Sequence, residues 1–208
     1  MKDIDYSLYL VTNSKDKRNQ EFLNIIEESI KGGVSIVQVR EKELDLIPFY
    51  EKAKAVKEIT DKYDIPLIIN DRLSIAIALG ADGAHVGQDD IDGALARDIL
   101  GPDRILGISA QTVEQAKKAE EDGADYIGCG AVFTTNTKKD ADSVSIEDFK
   151  KIKESVNIPV IAIGGIKTEN VKELKGTGAD GISVVSAIMN AEEPKKASEK
   201  LLEEFKKI

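Results

Sequence analysis

The chain has 208 residues, of which 41% are hydrophobic, and a formal net charge of −9 from 29 basic and 38 acidic side chains. This length and apolar fraction suffice for one well-buried core, so we expect a single domain over residues 1–208. The acidic balance argues against a nucleic-acid or anionic-membrane surface, which would need a basic patch. It does not argue against a small anionic substrate, because local positive groups can dominate a cleft.

Cysteine usage and the opening residues bear on location. The only cysteine is Cys129, so an intrachain disulfide is excluded and a reducing cytosol fits. The stretch MKDIDYSLYL lacks a basic segment followed by an apolar core, so we expect no signal peptide. No apolar run approaches the ~20 residues that span a bilayer. We therefore expect a cytoplasmic protein without membrane or nucleic-acid partners, and the sequence leaves a homodimer open.

Eight short apolar segments in chain order predict β-strands. Four of them belong to a repeated phrase: GADGAHVG from Gly80, GADYIGCG from Gly123, GADGISVV from Gly178 and, more loosely, GGVSIVQV from Gly32. In each phrase a glycine ends a helix, because the residue just past a helix often needs positive φ. The eight strands are predicted to begin near Leu8, Ser35, Pro66, Asp82, Arg104, Asp125, Pro159 and Asp180.

Amphipathic segments separate these strands. Between residues 46 and 63, apolar residues recur at a spacing of three to four, which is a helical period. Helices are predicted at about 18–31, 46–63, 73–79, 91–100, 111–121, 145–155, 168–175 and 190–207. Strands that are apolar on both faces and alternate with helices indicate a parallel sheet covered by helices. Eight regular units favour an α/β fold of the (β/α)8 TIM-barrel type over an open doubly wound sheet.

The second predicted strand carries charge where a barrel places its chemistry, at the carboxyl ends of the strands. The stretch IVQVREK puts Gln38, Arg40 and Lys42 at alternate positions, hence on one face. Because an unpaired buried cation is costly, this face is predicted to bind an anion. The alternative is an internal ion pair with Glu41 or Asp71.

Two aspartates end neighbouring strands. Strands in a sheet lie about 4.8 Å apart, so Asp71 and Asp90 could share one cation. Mg²⁺ is typically held by one or two carboxylates together with phosphate oxygens and waters. Beside Arg40 and Lys42, the two carboxylates therefore predict a metal-bound polyphosphate. The alternative is that each aspartate caps the helix that follows it.

Three further features suit an anionic ligand or bear on catalysis. The loop over residues 133–143 is long, and such loops are often lids or binding loops, although a plain solvated loop is the alternative. The turns IGGI after strand 7 and VVSAI after strand 8 match the phosphate site of barrels. His85 is the only histidine and is predicted to be a hydrogen-bonded core or rim residue rather than a general base.

The motifs Q-V-R-E-K, I-N-D, H-V-G-Q-D-D, G-I-S-A, T-N-T-K-K-D, G-I/V-S and I-G-G-I, in this order, resemble the thiamine-phosphate synthase family over about residues 38–188. The resemblance implies a (β/α)8 barrel that joins 4-amino-2-methyl-5-(diphosphooxymethyl)pyrimidine to 4-methyl-5-(2-phosphooxyethyl)thiazole, giving thiamine phosphate and diphosphate. It also implies one Mg²⁺ per active site, which assists the loss of diphosphate before the thiazole nitrogen attacks.

The resemblance assigns roles to individual residues. It implies that Mg²⁺ is held by Asp71 and Asp90, and that Arg40, Lys138 and Ser109 are catalytic. It implies that the pyrimidine diphosphate is held by Gln38, Val39, Arg40, Glu41, Lys42, Asn70, Ser109 and Lys138. It implies that the thiazole phosphate is held by Thr135, Asn136, Thr137, Gly165, Val185 and Ser186.

The chain departs from the family pattern at two positions of the loop after strand 6. Phe133 and Ala131 stand where the family usually has proline, which bears on the rigidity of the loop and on thiazole selectivity. Two rival functions remain open at this point. A thiazole tautomerase would need the thiazole phosphate site but no diphosphate site, and a non-catalytic barrel that binds thiamine precursors would release its ligand unchanged.

Overall fold

Eight strands form a closed parallel barrel in chain order, and the last strand returns to pair with the first. The computed structural model describes residues 4–15, 17–134 and 143–208. The strands are β1 Leu8–Val11, β2 Ile36–Val39, β3 Leu67–Asn70, β4 Gly83–Val86, β5 Ile105–Ala110, β6 Tyr126–Cys129, β7 Val160–Ile163 and β8 Gly181–Val184. Every strand begins within one residue of its predicted start, and the predicted (β/α)8 TIM barrel is confirmed.

Helices cover the outside of the barrel. They are α1 Asn19–Lys31, α2 Leu46–Lys62, α3 Leu73–Leu79, α4 Gly93–Leu100, α5 Val113–Glu121, α6 Ile146–Glu154, α7 Ser186–Met189 and α8 Pro194–Phe205. None of the helices within these described ranges is long and apolar enough to cross a membrane.

Two details of the helix prediction are wrong. The segment 168–175 forms only a 3₁₀ turn, Val171–Leu174, which is followed by two glycines at positive φ, Gly176 and Gly178. The short helix α7 directly after β8 is not part of the predicted set, since four residues are too few to show a helical period.

The barrel has an interior layer and an outer layer, because successive side chains of a strand point to opposite faces. In β2, Val37 and Val39 pack outward against the helices. Ile36 packs inward with Tyr9 and Tyr126. The alternation predicted from IVQVREK is therefore present, and Gln38 shares the inward side.

The repeated glycine phrases form one recurring hydrogen bond at the amino-terminal end of the barrel. In each phrase an Asp or Ser stands two residues after a glycine at positive φ, namely Gly33, Gly80, Gly123 or Gly178. Its side chain accepts the main-chain N–H at the start of the preceding strand. The four bonds, which we call the strand clamps, join Ser35 to Leu8 at 3.2 Å, Asp82 to Leu67 at 2.8 Å, Asp125 to Leu106 at 2.7 Å and Asp180 to Val160 at 2.7 Å.

Three of the strand clamps are reciprocal. The main-chain N–H groups of Ser35, Asp125 and Asp180 donate to the carbonyl of the same residue whose N–H their side chain accepts. The side chain thus adds one bond to the strand ladder beyond the main chain. The clamp at Asp125 also includes Arg97, whose guanidinium lies 2.6 Å from the carboxylate, with both side chains less than a fifth exposed.

We predict that Asp125→Ala lowers the free energy of unfolding by about 2–4 kcal/mol, because it removes a charged hydrogen bond and leaves the largely buried Arg97 without its carboxylate. Urea denaturation measures the change. Asp103→Ala, in the exposed turn before β5, is the control and should stay within ~0.5 kcal/mol of the parent. Equal effects of the two substitutions would show that the clamp contributes nothing to stability.

Candidate functional site

β2 supplies an amide to the barrel interior and a cation to its mouth. Gln38 is 4% exposed, and its Nε2 donates to the Tyr9 hydroxyl at 2.8 Å. Arg40 follows the strand and is half-buried. Within the described ranges its side chain forms no ion pair, so the guanidinium is available to an anion. Val39 is fully buried on the opposite side, against the helices, so only its main chain can serve the site.

Glu41 fastens the loop after β1 to the end of β2. Its carboxylate accepts the Ser14 hydroxyl at 2.6 Å, the Ser14 N–H at 3.0 Å and the Thr12 hydroxyl at 3.3 Å. Thr12 in turn accepts the Arg40 N–H at 3.2 Å. Glu41 therefore helps to fix the main chain that carries Arg40, and its direct contact with a substrate stays a prediction.

Two carboxylates meet at the ends of β3 and β4. Asp71 follows β3 at a φ of 59°, and its N–H donates to the His85 carbonyl at 2.9 Å. The pKa of Asp71 is raised to about 6, first by burial and then by the hydrogen bond and the negative charge of Asp90, against the opposing charges of Lys42 and Arg40. A cation shared by the two carboxylates would relieve this repulsion.

Neither carboxylate caps a helix. The N-cap of α3 is Arg72, and the N-cap of α4 is Asp92, whose side chain accepts two main-chain N–H groups. Asp90 instead accepts the Gly87 N–H at 2.7 Å. The alternative that Asp71 and Asp90 are helix caps is therefore wrong.

Asp71 and Asp90 fit a magnesium ion that takes the rest of its coordination shell from a bound phosphate and from water. In the described part of the chain, no group of three or more His, Cys, Asp and Glu side chains is placed to form a complete metal cage. Mg²⁺ usually takes one or two carboxylates and completes its shell with phosphate oxygens and waters, and Asp71 and Asp90 supply that number. Lys42 Nζ lies 3.7 Å from Asp71 Oδ2, so the ion-pair alternative holds for Lys42, at an exposed and energetically small pair.

A chain of hydrogen bonds crosses the barrel interior below the mouth. The Tyr9 and Tyr126 hydroxyls lie 2.7 Å apart, the Tyr126 hydroxyl lies 3.0 Å from His85 Nδ1, and His85 Nε2 lies 2.9 Å from Ser109 Oγ. Asn70, 8% exposed at the end of β3, pairs in register with His85. The prediction that His85 is a hydrogen-bonded residue of the core or rim is confirmed, because both ring nitrogens have partners.

Tyr9 and Tyr126, the two tyrosines in this row of hydrogen bonds, are not among the site residues predicted from the sequence. Both lie in short apolar strands, where an aromatic side chain predicts simple core packing. A signal is nevertheless present in the facing strand. Gly107 pairs in register with Tyr126, and a glycine inside a strand often marks the close approach of another group.

The opposite side of the mouth is formed by the turns after β7 and β8. Gly164 and Gly165 have φ of 98° and 67°, and a Cβ added at Gly165 would lie 2.6 Å from the Thr134 carbonyl oxygen. Only glycine fits this turn, which leaves bare main chain facing the loop after β6. Val185 and Ser186 follow β8, and Ser186 is the exposed first residue of α7.

Part of the predicted site lies outside the described residues, namely Thr135, Asn136, Thr137 and Lys138. The described start of the same loop packs on the β7 turn. The N–H groups of Val132 and Phe133 donate to the carbonyls of Ile163 and Gly164, each at 3.0 Å. One residue that departs from the motif, Phe133, is therefore held by main-chain bonding, and the other, Ala131, would be the nearest neighbour of a Cβ added at Gly164.

Comparisons with known proteins bear on the identity of this site. A family model described as thiamine monophosphate synthase matches residues 8–188. The chain is 59% identical to a thiamine-phosphate synthase of Methanobrevibacter smithii over 206 residues, covering 99% of this chain and 98% of that protein. It is 54% identical to a thiamine-phosphate synthase of Clostridium tetani over 200 residues, covering 96% of each.

Solved structures give the same picture at two levels of similarity. A thiamine phosphate pyrophosphorylase from Pyrococcus furiosus superposes with a TM-score of 0.89 at 38% identity, over 98% of this chain and 96% of that chain. A geranylgeranylglyceryl phosphate synthase from Thermoplasma acidophilum superposes with a TM-score of 0.73 at 19% identity, over 99% of this chain and 95% of that chain. The second likeness shows the barrel fold alone.

We predict that Glu41→Ala speeds hydrogen exchange of the Ser14 amide at least ~10-fold, because that N–H loses its acceptor, and lowers the free energy of unfolding by about 2 kcal/mol. Exchange followed by NMR measures the first effect and urea denaturation the second. Glu43→Ala, at an exposed neighbouring position, is the matched control. An unchanged Ser14 exchange rate in Glu41→Ala would show that this carboxylate does not hold the loop.

Proposed function

The chain belongs to the thiamine monophosphate synthase family, and from that premise we propose that the mouth of its barrel is the site at which two phosphorylated precursors are joined. The enzyme is a transferase that condenses 4-amino-2-methyl-5-(diphosphooxymethyl)pyrimidine with 4-methyl-5-(2-phosphooxyethyl)thiazole, giving thiamine phosphate and diphosphate. The roles of individual residues at the mouth, and the use of Mg²⁺, are the substance of the proposal.

The observation that carries the residue assignment is the meeting of two cations and two carboxylates at the ends of β2, β3 and β4. Lys42 Nζ lies 3.7 Å from Asp71 Oδ2, and Asp90, Lys42 and Arg40 all lie close enough to Asp71 to shift its pKa. Cations alone would suit a bare phosphate, and carboxylates alone would repel it. Their combination suits a diphosphate whose charge is shared between basic side chains and a divalent ion.

Asp71 and Asp90 would hold one Mg²⁺ on the diphosphate. When bound there, the ion supplies electrostatic stabilisation of the charge that develops on the leaving diphosphate. Its removal leaves two carboxylates in repulsion beside an anionic substrate, so the metal serves binding as well as reaction.

Residues of β2 and of the segment that follows it would bind both parts of the pyrimidine substrate, its diphosphate and its ring. Arg40 and Lys42 would contact the diphosphate, where Arg40 can donate two parallel N–H bonds. Gln38, Asn70 and Ser109 line the interior just below and would contact the pyrimidine ring. Lys138 would add a further cation to the leaving group, and Glu41 and Val39 would contribute through the main chain and through loop packing.

The thiazole phosphate would lie on the opposite side of the mouth. The turn at Gly164 and Gly165 presents main chain without side chains there, and Val185 and Ser186 begin the short helix beside it. Phosphate sites of barrels use this place in the fold. Thr135, Asn136 and Thr137 of the loop after β6 would complete the site.

The reaction requires little proton transfer by the residues of this site. The bond from the pyrimidine methylene to the diphosphate oxygen breaks, and its electron pair leaves with the diphosphate. The lone pair of the thiazole nitrogen forms the new carbon–nitrogen bond, so no proton is lost at the reacting atoms. Electrostatic stabilisation by Arg40 and Lys138, rather than a general base, is therefore the main demand on the protein.

We predict that Asp71→Asn and Asp90→Asn each lower kcat about 100-fold or more at saturating Mg²⁺, because a divalent ion in place contributes several kcal/mol to the transition state. Product is measured as thiamine phosphate after oxidation to fluorescent thiochrome, with Mg²⁺ and with EDTA. Asp89→Asn, at the exposed neighbouring position, should keep the parent rate. Parent rates in all three variants, or full activity in EDTA, would remove the metal assignment.

We predict that Arg40→Ala raises the KM for the pyrimidine diphosphate about 100-fold and changes the KM for the thiazole phosphate less than ~3-fold, because a charge-assisted bidentate bond to the diphosphate is lost. Initial rates with each substrate varied in turn measure both constants. Arg104→Ala, at the amino-terminal end of the barrel, is the control. An equal effect on both constants would mean that the two substrate positions are wrongly assigned.

A further inference from the structure

A hydrogen-bonded relay in the barrel interior joins two of the three side chains that the proposed function gives to the pyrimidine, Gln38 and Ser109. It runs from Gln38 through the hydroxyls of Tyr9 and Tyr126 to His85 and ends at Ser109, with separations of 2.8, 2.7, 3.0 and 2.9 Å. We call these five residues the interior relay. Its two tyrosines are 2% and 1% exposed, so bulk water does not compete for the bonds among Gln38, Tyr9 and Tyr126.

Glycines in the neighbouring strands make room for the interior relay. A Cβ added at Gly107 would overlap the Tyr126 ring and hydroxyl and His85 Nδ1. A Cβ added at Gly128 would lie 3.0 Å from His85 Cε1. Both glycines have ordinary strand conformations, so their lack of a side chain serves this close approach rather than an unusual φ.

Counting hydrogens gives the interior relay a direction. The Gln38 Nε2 group can only donate, and each tyrosine hydroxyl has a single hydrogen to pass on. Because a buried hydroxyl hydrogen without an acceptor is costly, Tyr9, which accepts from Gln38, is assigned as the donor to Tyr126, and Tyr126 as the donor to His85 Nδ1. Burial raises the pKa of both tyrosines well above the ordinary value, so both keep the hydrogen that this sequence of bonds requires.

We propose that the interior relay holds His85 as the neutral tautomer with its hydrogen on Nε2 and thereby sets Ser109 as a hydrogen-bond donor to the pyrimidine substrate. An imidazole that accepts at Nδ1 donates at Nε2. Ser109 Oγ then accepts from His85 and keeps its own hydrogen for the mouth. His85, Tyr126 and Tyr9 are positioning residues in this account, which rests on the proposed function for the identity of the substrate.

The position of Ser109 supports this use of its hydroxyl. It is half-buried near the carboxyl end of β5, and its carbonyl accepts the Gln88 Nε2 at 2.6 Å. A pyrimidine ring nitrogen or an oxygen of the leaving diphosphate is an acceptor that such a donor suits. At the other end, the Gln38 amide that gives Nε2 to Tyr9 keeps Oε1 as an acceptor, which suits the amino group of the same pyrimidine.

The opposite order of donors and acceptors in the interior relay predicts the other tautomer of His85. If Gln38 presented its amide oxygen to Tyr9, every bond of the interior relay would turn around, because each hydroxyl has only one hydrogen. His85 would then carry its hydrogen on Nδ1, and Ser109 would donate to His85 instead of to the substrate. The tautomer of one imidazole therefore reports the direction of the whole relay.

The chain contains a single histidine, so selective ¹⁵N labelling of histidine gives one pair of ring signals. The two ring nitrogen signals are to be recorded about two pH units above the usual histidine pKa of ~6.5, where an imidazole is neutral. The expected result is a nitrogen without hydrogen at Nδ1 and a nitrogen with hydrogen at Nε2. A hydrogen found on Nδ1 in the parent protein overturns the proposal directly, whatever the variants do.

Variants separate positioning from packing. Tyr126→Phe should increase the population with hydrogen on Nδ1 and lower kcat about 10-fold, corresponding to the loss of one directed hydrogen bond, with the KM for thiazole phosphate unchanged. Tyr9→Phe should have a smaller effect, since Tyr126 keeps its hydrogen. Tyr6→Phe is the control, because the Tyr6 ring packs on Tyr126 at 5.2 Å between centroids while its hydroxyl is outside the relay.

Three results are decisive. A Tyr126→Phe variant with the parent tautomer and the parent kcat overturns the proposal. Equal losses in Tyr6→Phe and Tyr126→Phe also overturn it, since packing alone would then explain them. A parent protein that makes no thiamine phosphate would overturn the proposed function, whereas the NMR measurement would still decide the direction of the interior relay.

Discussion

The strand clamps solve a problem that a closed parallel barrel poses at its amino-terminal end. The N–H groups in the first two residues of a strand need partners, because a buried and unpaired donor is costly. Asp82, Asp125 and Asp180 supply a carboxylate for this purpose, and Ser35 supplies a hydroxyl. Secured at this end, the barrel can tolerate two mutually repelling carboxylates, Asp71 and Asp90, at the other. Stability and chemistry thus occupy opposite ends of the same strands.

At the mouth of the barrel, charged side chains lie at the rim and uncharged polar side chains lie deeper in the interior. Arg40, Lys42 and the acidic pair lie at the rim, where water and a charged ligand can solvate them. One layer deeper, the tyrosines and His85 form hydrogen bonds without any formal charge, as a low-dielectric interior requires. A substrate with a charged diphosphate and a neutral heterocycle matches this order, with its diphosphate at the rim and its ring above the neutral layer.

The sequence predicts the strands and the rim well, because both follow from local rules. The starts of the strands follow from glycine and proline punctuation, and Arg40 and Asp71 follow from their place at strand ends. The interior relay escapes such rules. Tyr9 reads as an apolar core residue, and only the closed barrel brings it 2.7 Å from Tyr126, which lies 117 positions later in the chain. The role of Glu41 in holding Ser14 escapes for the same reason, since an acidic residue next to Arg40 suggests a ligand contact from sequence alone.

The spacing of the strand clamps along the chain has a consequence for assembly. Their partners are separated by only 15 to 27 positions, so each clamp closes a short loop at small entropic cost. Each also lies within a single strand–helix–strand unit, and none joins one such unit to the next. The barrel is therefore divided into four quarters that can each acquire native bonds before the ring is complete, and only its closure between β8 and β1 must wait for both ends of the chain.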